Sequence, residues 1–387
     1  MKLKILLPLY IGAIIGPMGG FGIVAILPAM AGLWDVAFGR ISIAITYYMV
    51  PFIVIQIFSG AIAQIFDTRK TLLFGFGLYA AGSVCAGLAG SFSLFLVFRV
   101  VQGVGAGFLA PIVMALIGEL VHERHLGRAI GLLGVAYTAG ITLGPYISGM
   151  IEVRLGWPWF FFFLTALSLS SGIFYFFTSR ASGRASRKQE SAGQGSLLDV
   201  FPVLKKASRE PGVAPISFSA FCLFFGYIGI MTFTADVLKT QFGLPSDKVG
   251  AILSITGLSG IVVSPIAGAL GDRVGRKAVF LSGCLIAMLA ISLMAWIPYS
   301  FYSRLMLFLL LGTGSATAWT SLNTLAVNIS PSLRQPVTSL YNAIKFSGYA
   351  SAPMALPLIY SAFGILGVQI ACITAVVIAM VLALKAT

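Results

Sequence analysis

Apolar runs of about twenty residues recur from one end of the chain to the other, and this repetition limits the fold more than any other feature. A helix of roughly 20 residues spans the ~30 Å hydrocarbon core of a bilayer. Hydrophobic residues make up 58% of the 387 and charged residues 9%, with a mean hydropathy of +0.99. A soluble domain carries roughly 25% charged residues. The sequence therefore predicts an all-α integral membrane protein.

Spans are expected at roughly 5–31, 41–65, 71–90, 92–119, 128–150 and 157–178, then at 213–238, 247–271, 278–297, 301–329, 336–360 and 363–384. The first run is too long for a signal-peptide core and reads as helix one. That gives twelve transmembrane helices in two six-helix pseudo-repeats, 1–178 and 213–387, joined by a cytoplasmic linker at 179–212. The linker is rich in Ser, Gly and basic residues, with a short amphipathic piece near Leu197 to Leu204. The halves echo each other at an offset of 208 residues: Gly60, Gly140 and Pro145 pair with Gly268, Gly348 and Pro353. A parallel repeat of this kind places a ligand site at the interface between halves.

An even number of spans puts both termini on one side, and basic residues decide which. With cytoplasmic termini, Arg40, Arg154, Lys239, Lys248 and Arg304 fall in outer loops and Arg99 and Lys345 within spans, while the rest of the 25 are cytoplasmic. Trp34, Trp157, Trp159 and Trp296 then sit near outer helix ends, at headgroup level. The expected location is the inner membrane of a prokaryote. The net charge of +14 lies in short segments between apolar runs, not on one face of a folded domain, so nucleic acid is not an expected partner. Cys85, Cys222, Cys284 and Cys372 all lie in apolar runs without CxxC spacing, which indicates neither a disulfide framework nor a metal site.

The most specific local signal is GALGDRVGRK, Gly268 to Lys277. Its glycines allow close helix approach, Asp272 suits the positive end of a neighbouring helix, and Arg273, Arg276 and Lys277 suit an anionic leaflet. This segment, with Gly275 at its turn, resembles the cytoplasmic loop signature of the major facilitator superfamily. The first-half counterpart, GAIAQIFDTRK, is degenerate, with Gln64 in place of aspartate and Asp67 in place of glycine. Span four reads RVVQGVGAG, so that Arg99, Gln102 and Gly103 resemble another motif of that family. Span five reads GLLGVAYTAGITLGPYISG, whose Gly140, Gly144 and Pro145 resemble the antiporter signature, with Ser148 in place of one glycine. Small residues here suit packing of span five on span eight, where Gly257, Gly260 and Gly268 recur. The resemblance extends over essentially the whole chain. It implies the major facilitator fold, the drug:proton antiporter branch, and gating roles for the residues of these motifs.

Charges inside spans are costly, and they read as functional sites by default. Arg99 is expected to meet protein or water, either as a cavity residue or as a buried arginine bonded to carbonyls. Lys345 lies on span eleven beside a polar stripe that includes Tyr341 and Asn342. Trp319 and Asn323, Tyr137, Tyr227, and Tyr48 with Gln56 are further candidate wall residues. No Asp or Glu falls near the middle of a span; Asp35, Glu119 and Asp236 come nearest. That absence favours neutral or anionic substrates and leaves proton coupling to a terminal acid or Lys345.

The resulting reading is a secondary transporter that exports small amphipathic molecules by alternating access, with proton exchange. The alternative is a facilitator or importer of small organic anions. An enzyme is not expected, because paired carboxylates, GxSxG and HExxH are missing. No cofactor is expected, and the chain is read as a monomer whose partners are its substrate and the bilayer.

Overall fold

The structure is a computed structural model that describes residues 3–181 and 200–386. All its elements are helical. The first part comprises α1 (Leu3–Phe21), a 3-10 turn (Gly22–Ala25), α2 (Leu27–Leu33), α3 (Phe38–Ile41), α4 (Ile43–Phe66), α5 (Thr68–Gly87), α6 (Phe92–Leu120), α7 (Glu123–Leu155) and α8 (Pro158–Ala181). A short α9 (Val200–Ser208) precedes α10 (Val213–Thr240), α11 (Ser246–Val274), α12 (Arg276–Trp296), α13 (Phe301–Asn328) and α14 (Arg334–Lys385). Most of the expected linker lies outside the described residues.

Ten helical stretches among the described residues are long and apolar enough to cross a bilayer, where twelve spans are expected from sequence. Two features account for the difference. α5 opens on Thr-Arg-Lys and continues with many small residues, so it is not among the ten. α14 counts once, although Gly364 interrupts it with φ 61° and ψ −157°, a conformation open to glycine. The chain reverses there. Leu356 and Cys372, eight residues to either side, both lie within 3 Å of a Cβ built on Gly229 of α10, whereas a straight helix would hold them roughly 24 Å apart.

Each helix satisfies its own backbone, and the bundle is closed by interdigitating side chains around small residues. α12 and α13 touch almost backbone to backbone: a Cβ on Gly283 or on Gly314 would lie 2.7 Å from the other's carbonyl oxygen. Large apolar residues also point outward, among them Trp296, Leu358 and Phe363. In water they would be costly; in lipid they face their solvent.

Candidate functional site

α1 breaks inside the bundle, and the break organises the first half. As the helix tightens into the 3-10 turn after Phe21, its last carbonyls are left for outside partners, and carbonyls one turn earlier accept side-chain donors as well. Five neighbouring helices supply them. Tyr79 of α5 donates to Ile15 O (3.0 Å), Tyr48 of α4 to Gly16 O (2.7 Å) and Arg99 of α6 to Gly19 O (3.2 Å). Tyr349 of α14 donates to Gly20 O (3.1 Å) and Ser148 of α7 to Gly22 O (2.6 Å). Arg99 is fully buried at the negative end of α1, where a cation is favoured. Its Nε also donates to Ala44 O at 3.3 Å, its Nη1 to Gln102 Oε1, and the guanidinium lies 4.3 Å from the Tyr48 ring centroid. Gln102 in turn donates to Ser83 Oγ at 2.8 Å.

Along one seam α7 packs on α11 and α4 packs on α14. Ser42 donates to Pro353 O (3.3 Å), Thr46 to Ala350 O (2.6 Å), and Tyr146 N to Ser254 Oγ (3.0 Å). Near the end remote from the termini, Phe38 meets Phe233 and Tyr360, Tyr360 donates to buried Asp236 (2.7 Å), and Lys239 lies 4.0 Å from Glu152. Gly149 abuts Ser246, Gly250 abuts Pro145 and Gly257 abuts Thr142. Towards the termini these helices part: a Cβ on Gly131, Gly134 or Gly268 would meet open space.

Where the seam begins to part, Phe52 of α4 meets Phe346 of α14 at 5.5 Å. Lys345 is 8% exposed. Its Nζ donates to Asn342 Oδ1 at 2.7 Å and lies 4.7, 5.2 and 5.4 Å from the ring centroids of Phe346, Tyr341 and Phe224. Tyr341 donates to exposed Asn323 at 2.7 Å. Trp319 packs on Phe224 and Tyr227, and the Tyr227 hydroxyl bonds Thr256. Gln56, one turn from Phe52, keeps a buried carboxamide oxygen without a partner. A separate groove of about 450 Å³, between α4 and α6, is lined by Thr46, Tyr47, Val50, Pro51, Val54, Ile55, Val100 and Val104 and contains no ionisable group except the Tyr47 phenol.

The structure thus gathers Lys345, Tyr341, Asn342, Asn323, Trp319 and Tyr227 into one aromatic cluster, with Gln56 on the α4 side of the seam. Arg99 and Tyr48 lie elsewhere, bound into the α1 break, and Tyr137 donates to Ala110 O (3.1 Å) within the first half. Of the span-five glycines, Gly140 and Gly144 face Ile14 and Gly22 rather than α11; contact with α11 comes from Thr142, Pro145 and Gly149 instead. Pro145 also lends its carbonyl to Ser148 (3.0 Å). Gly103 presses on Tyr48 O and Pro51. At the α11–α12 corner Gly275 has φ +96°, Arg273 is exposed, and Asp272 pairs with Arg276 one turn on. That ion pair is where the sequence suggested a neighbouring helix end. Tyr349, which helical spacing puts on the same polar stripe as Tyr341 and Asn342, is instead bound to Gly20 O, while Ser42 and Thr46 escape a sequence reading, because hydroxyls in apolar runs usually bond their own helix.

Comparison with known proteins gives four findings. A family model described as Major Facilitator Superfamily matches residues 9–353. The Bacillibactin exporter of Bacillus subtilis is 24% identical over 87% of this chain and 85% of its own. The Multidrug transporter protein MdtP of the same organism is 23% identical over 62% of this chain and 53% of its own. A crystal structure of a POT family transporter in complex with 5-aminolevulinic acid shares the fold, with a TM-score of 0.76 at 14% identity, covering 98% of this chain and 96% of that one.

Proposed function

The chain belongs to the major facilitator superfamily, whose members are transporters rather than enzymes, and we propose that it exports small amphipathic molecules by alternating access. In this reading it is a member of the drug:proton antiporter branch and works in the cytoplasmic membrane as a monomer, without a bound cofactor. Twelve spans form the two halves 1–178 and 213–387, the hairpin at Gly364 and α5 supplying the two spans beyond the ten apolar ones. Both termini are cytoplasmic.

The observation that carries this reading is the seam itself. It is held at the end remote from the termini by Ser42, Thr46, Tyr349 and Ser254, and it parts at the other end. A transporter rocking about a midplane site passes through such a one-sided state. Export is supported by the relatives named as exporter and multidrug transporter. Proton exchange is part of the reading, and Asp236, buried at the held end against Tyr360, is the carboxylate to test.

Proteoliposomes with an imposed pH gradient test it, using neutral, anionic and cationic fluorescent amphiphiles. Gradient-driven flux that Asp236→Asn uncouples from pH is the expected result. Flux of equal size with and without the gradient would instead establish the second reading, a facilitator or importer of organic anions. The second reading is favoured by the lack of any mid-span carboxylate among the described residues.

A further inference from the structure

The sequence offers two intramembrane cations for one cavity, and the structure separates them. Arg99 is tied into the α1 break: it is fully buried and bonded to Gly19 O, Ala44 O and Gln102, and only its Nη2 lacks a partner. Lys345 is the cation left at the seam. Its one hydrogen bond is to the neutral Asn342, and no ion pair reaches it among the described residues. A buried ammonium without a carboxylate is costly, and three aromatic faces within 5.4 Å compensate only part of that cost.

Each class of ligand meets this arrangement differently. A cation would sit beside Lys345 against like-charge repulsion. A neutral molecule leaves the ammonium as it is. An anion supplies the missing counter-charge, in a site where low dielectric strengthens the pair. The body of the ligand is specified by what surrounds Nζ: Phe224, Phe346 and Trp319 form a ring cluster that a flat aromatic body would join as Nζ leaves the Phe224 and Phe346 faces for the carboxylate. Across the seam, the unpaired Gln56 carboxamide oxygen requires a hydrogen-bond donor.

We propose that Lys345 and its aromatic surround form a binding site for small planar aromatic carboxylates, with the carboxylate on Nζ, the ring against Phe224 and Phe346, and a ring hydroxyl directed towards Gln56. The assignment rests on the transport reading for its physiological meaning, but not for the binding it foresees.

Three matched fluorescent probes test it on the full chain in lipid nanodiscs: 6-hydroxy-2-naphthoate, 6-hydroxy-2-naphthamide and (6-hydroxy-2-naphthyl)methylammonium. The carboxylate should bind the native protein about 10- to 100-fold more tightly than the amide, the ratio expected for a charge-assisted bond, and the ammonium least well. Lys345→Gln should bring carboxylate and amide to equal affinity, and Lys345→Arg should keep the preference. The comparison of probes on the native protein needs no variant to fold. Equal binding of the three, binding of none, or a preference that survives Lys345→Gln overturns the assignment. The same probes in proteoliposomes separate the two readings. Selective binding without flux under any gradient sinks transport and leaves the site standing; equal flux of all three does the reverse.

Discussion

Replacing Arg99 by Met keeps an unbranched side chain but removes every donor that Arg99 itself brings to the α1 break. Gly19 O, Ala44 O and Gln102 Oε1 would lose their guanidinium partner at a fully buried position. A hydrogen bond to a charged group contributes roughly 1.5–3 kcal/mol net, so the two carbonyl bonds together stand for about 3–6 kcal/mol. The lower end is the better guide, because the variant no longer buries a charge. At roughly 2 °C per kcal/mol for a chain of this size, melting of the purified protein should fall by about 6 °C. Met at Lys345, which makes one side-chain hydrogen bond, should move melting much less. The assay is thermal unfolding in detergent beside probe binding to the same samples. A melting point within about 1 °C of the native value, combined with lost binding, would refute the structural role and return Arg99 to the cavity.

Two further outcomes follow from single contacts. Tyr349→Phe keeps the ring against Phe21 but deletes the cross-seam bond to Gly20 O; at about 1 kcal/mol it should shift the populations of the two access states roughly fivefold, measurable as cysteine labelling at the held end. Asp67 adopts φ 79° where the second half has Gly275 at φ 96°, and its carboxylate accepts from Lys70 N at 2.9 Å. Asp67→Ala should therefore lower melting, since it loses the cap and keeps the strain, while Asp67→Gly should stay within about 1 kcal/mol of native by exchanging one for the other.

Membrane class and helix positions are legible because they follow from summed hydropathy, a property each segment carries alone. α5 and the Gly364 hairpin are harder to read: small residues and two cations dilute the first, and the second lies within apolar sequence with only a two-residue gap to mark it. Lys345 is conspicuous as a lone cation in an apolar run, and its neighbours Tyr341 and Asn342 follow from helical spacing. The separation of Arg99 from Lys345 is not legible. It depends on where α1 stops being α-helical, and the glycines near residue 20 mark a loosening without saying which side chains answer it. The same limit applies across the seam, where Ser42 and Thr46 bond to carbonyls more than 300 residues away. Nothing local distinguishes them from hydroxyls that turn back on their own helix.

The α1 break is held entirely through main-chain oxygens, which every amino acid possesses. Its own residues can therefore be exchanged one at a time, space permitting, without touching the bonds that anchor it. An alanine scan over 15–22 would register crowding at the glycines and pass over the anchor itself. Mutational sensitivity would surface instead at Tyr48, Tyr79, Arg99, Ser148 and Tyr349, five positions dispersed over 302 residues of sequence whose common dependence becomes visible only when their effects are found not to add.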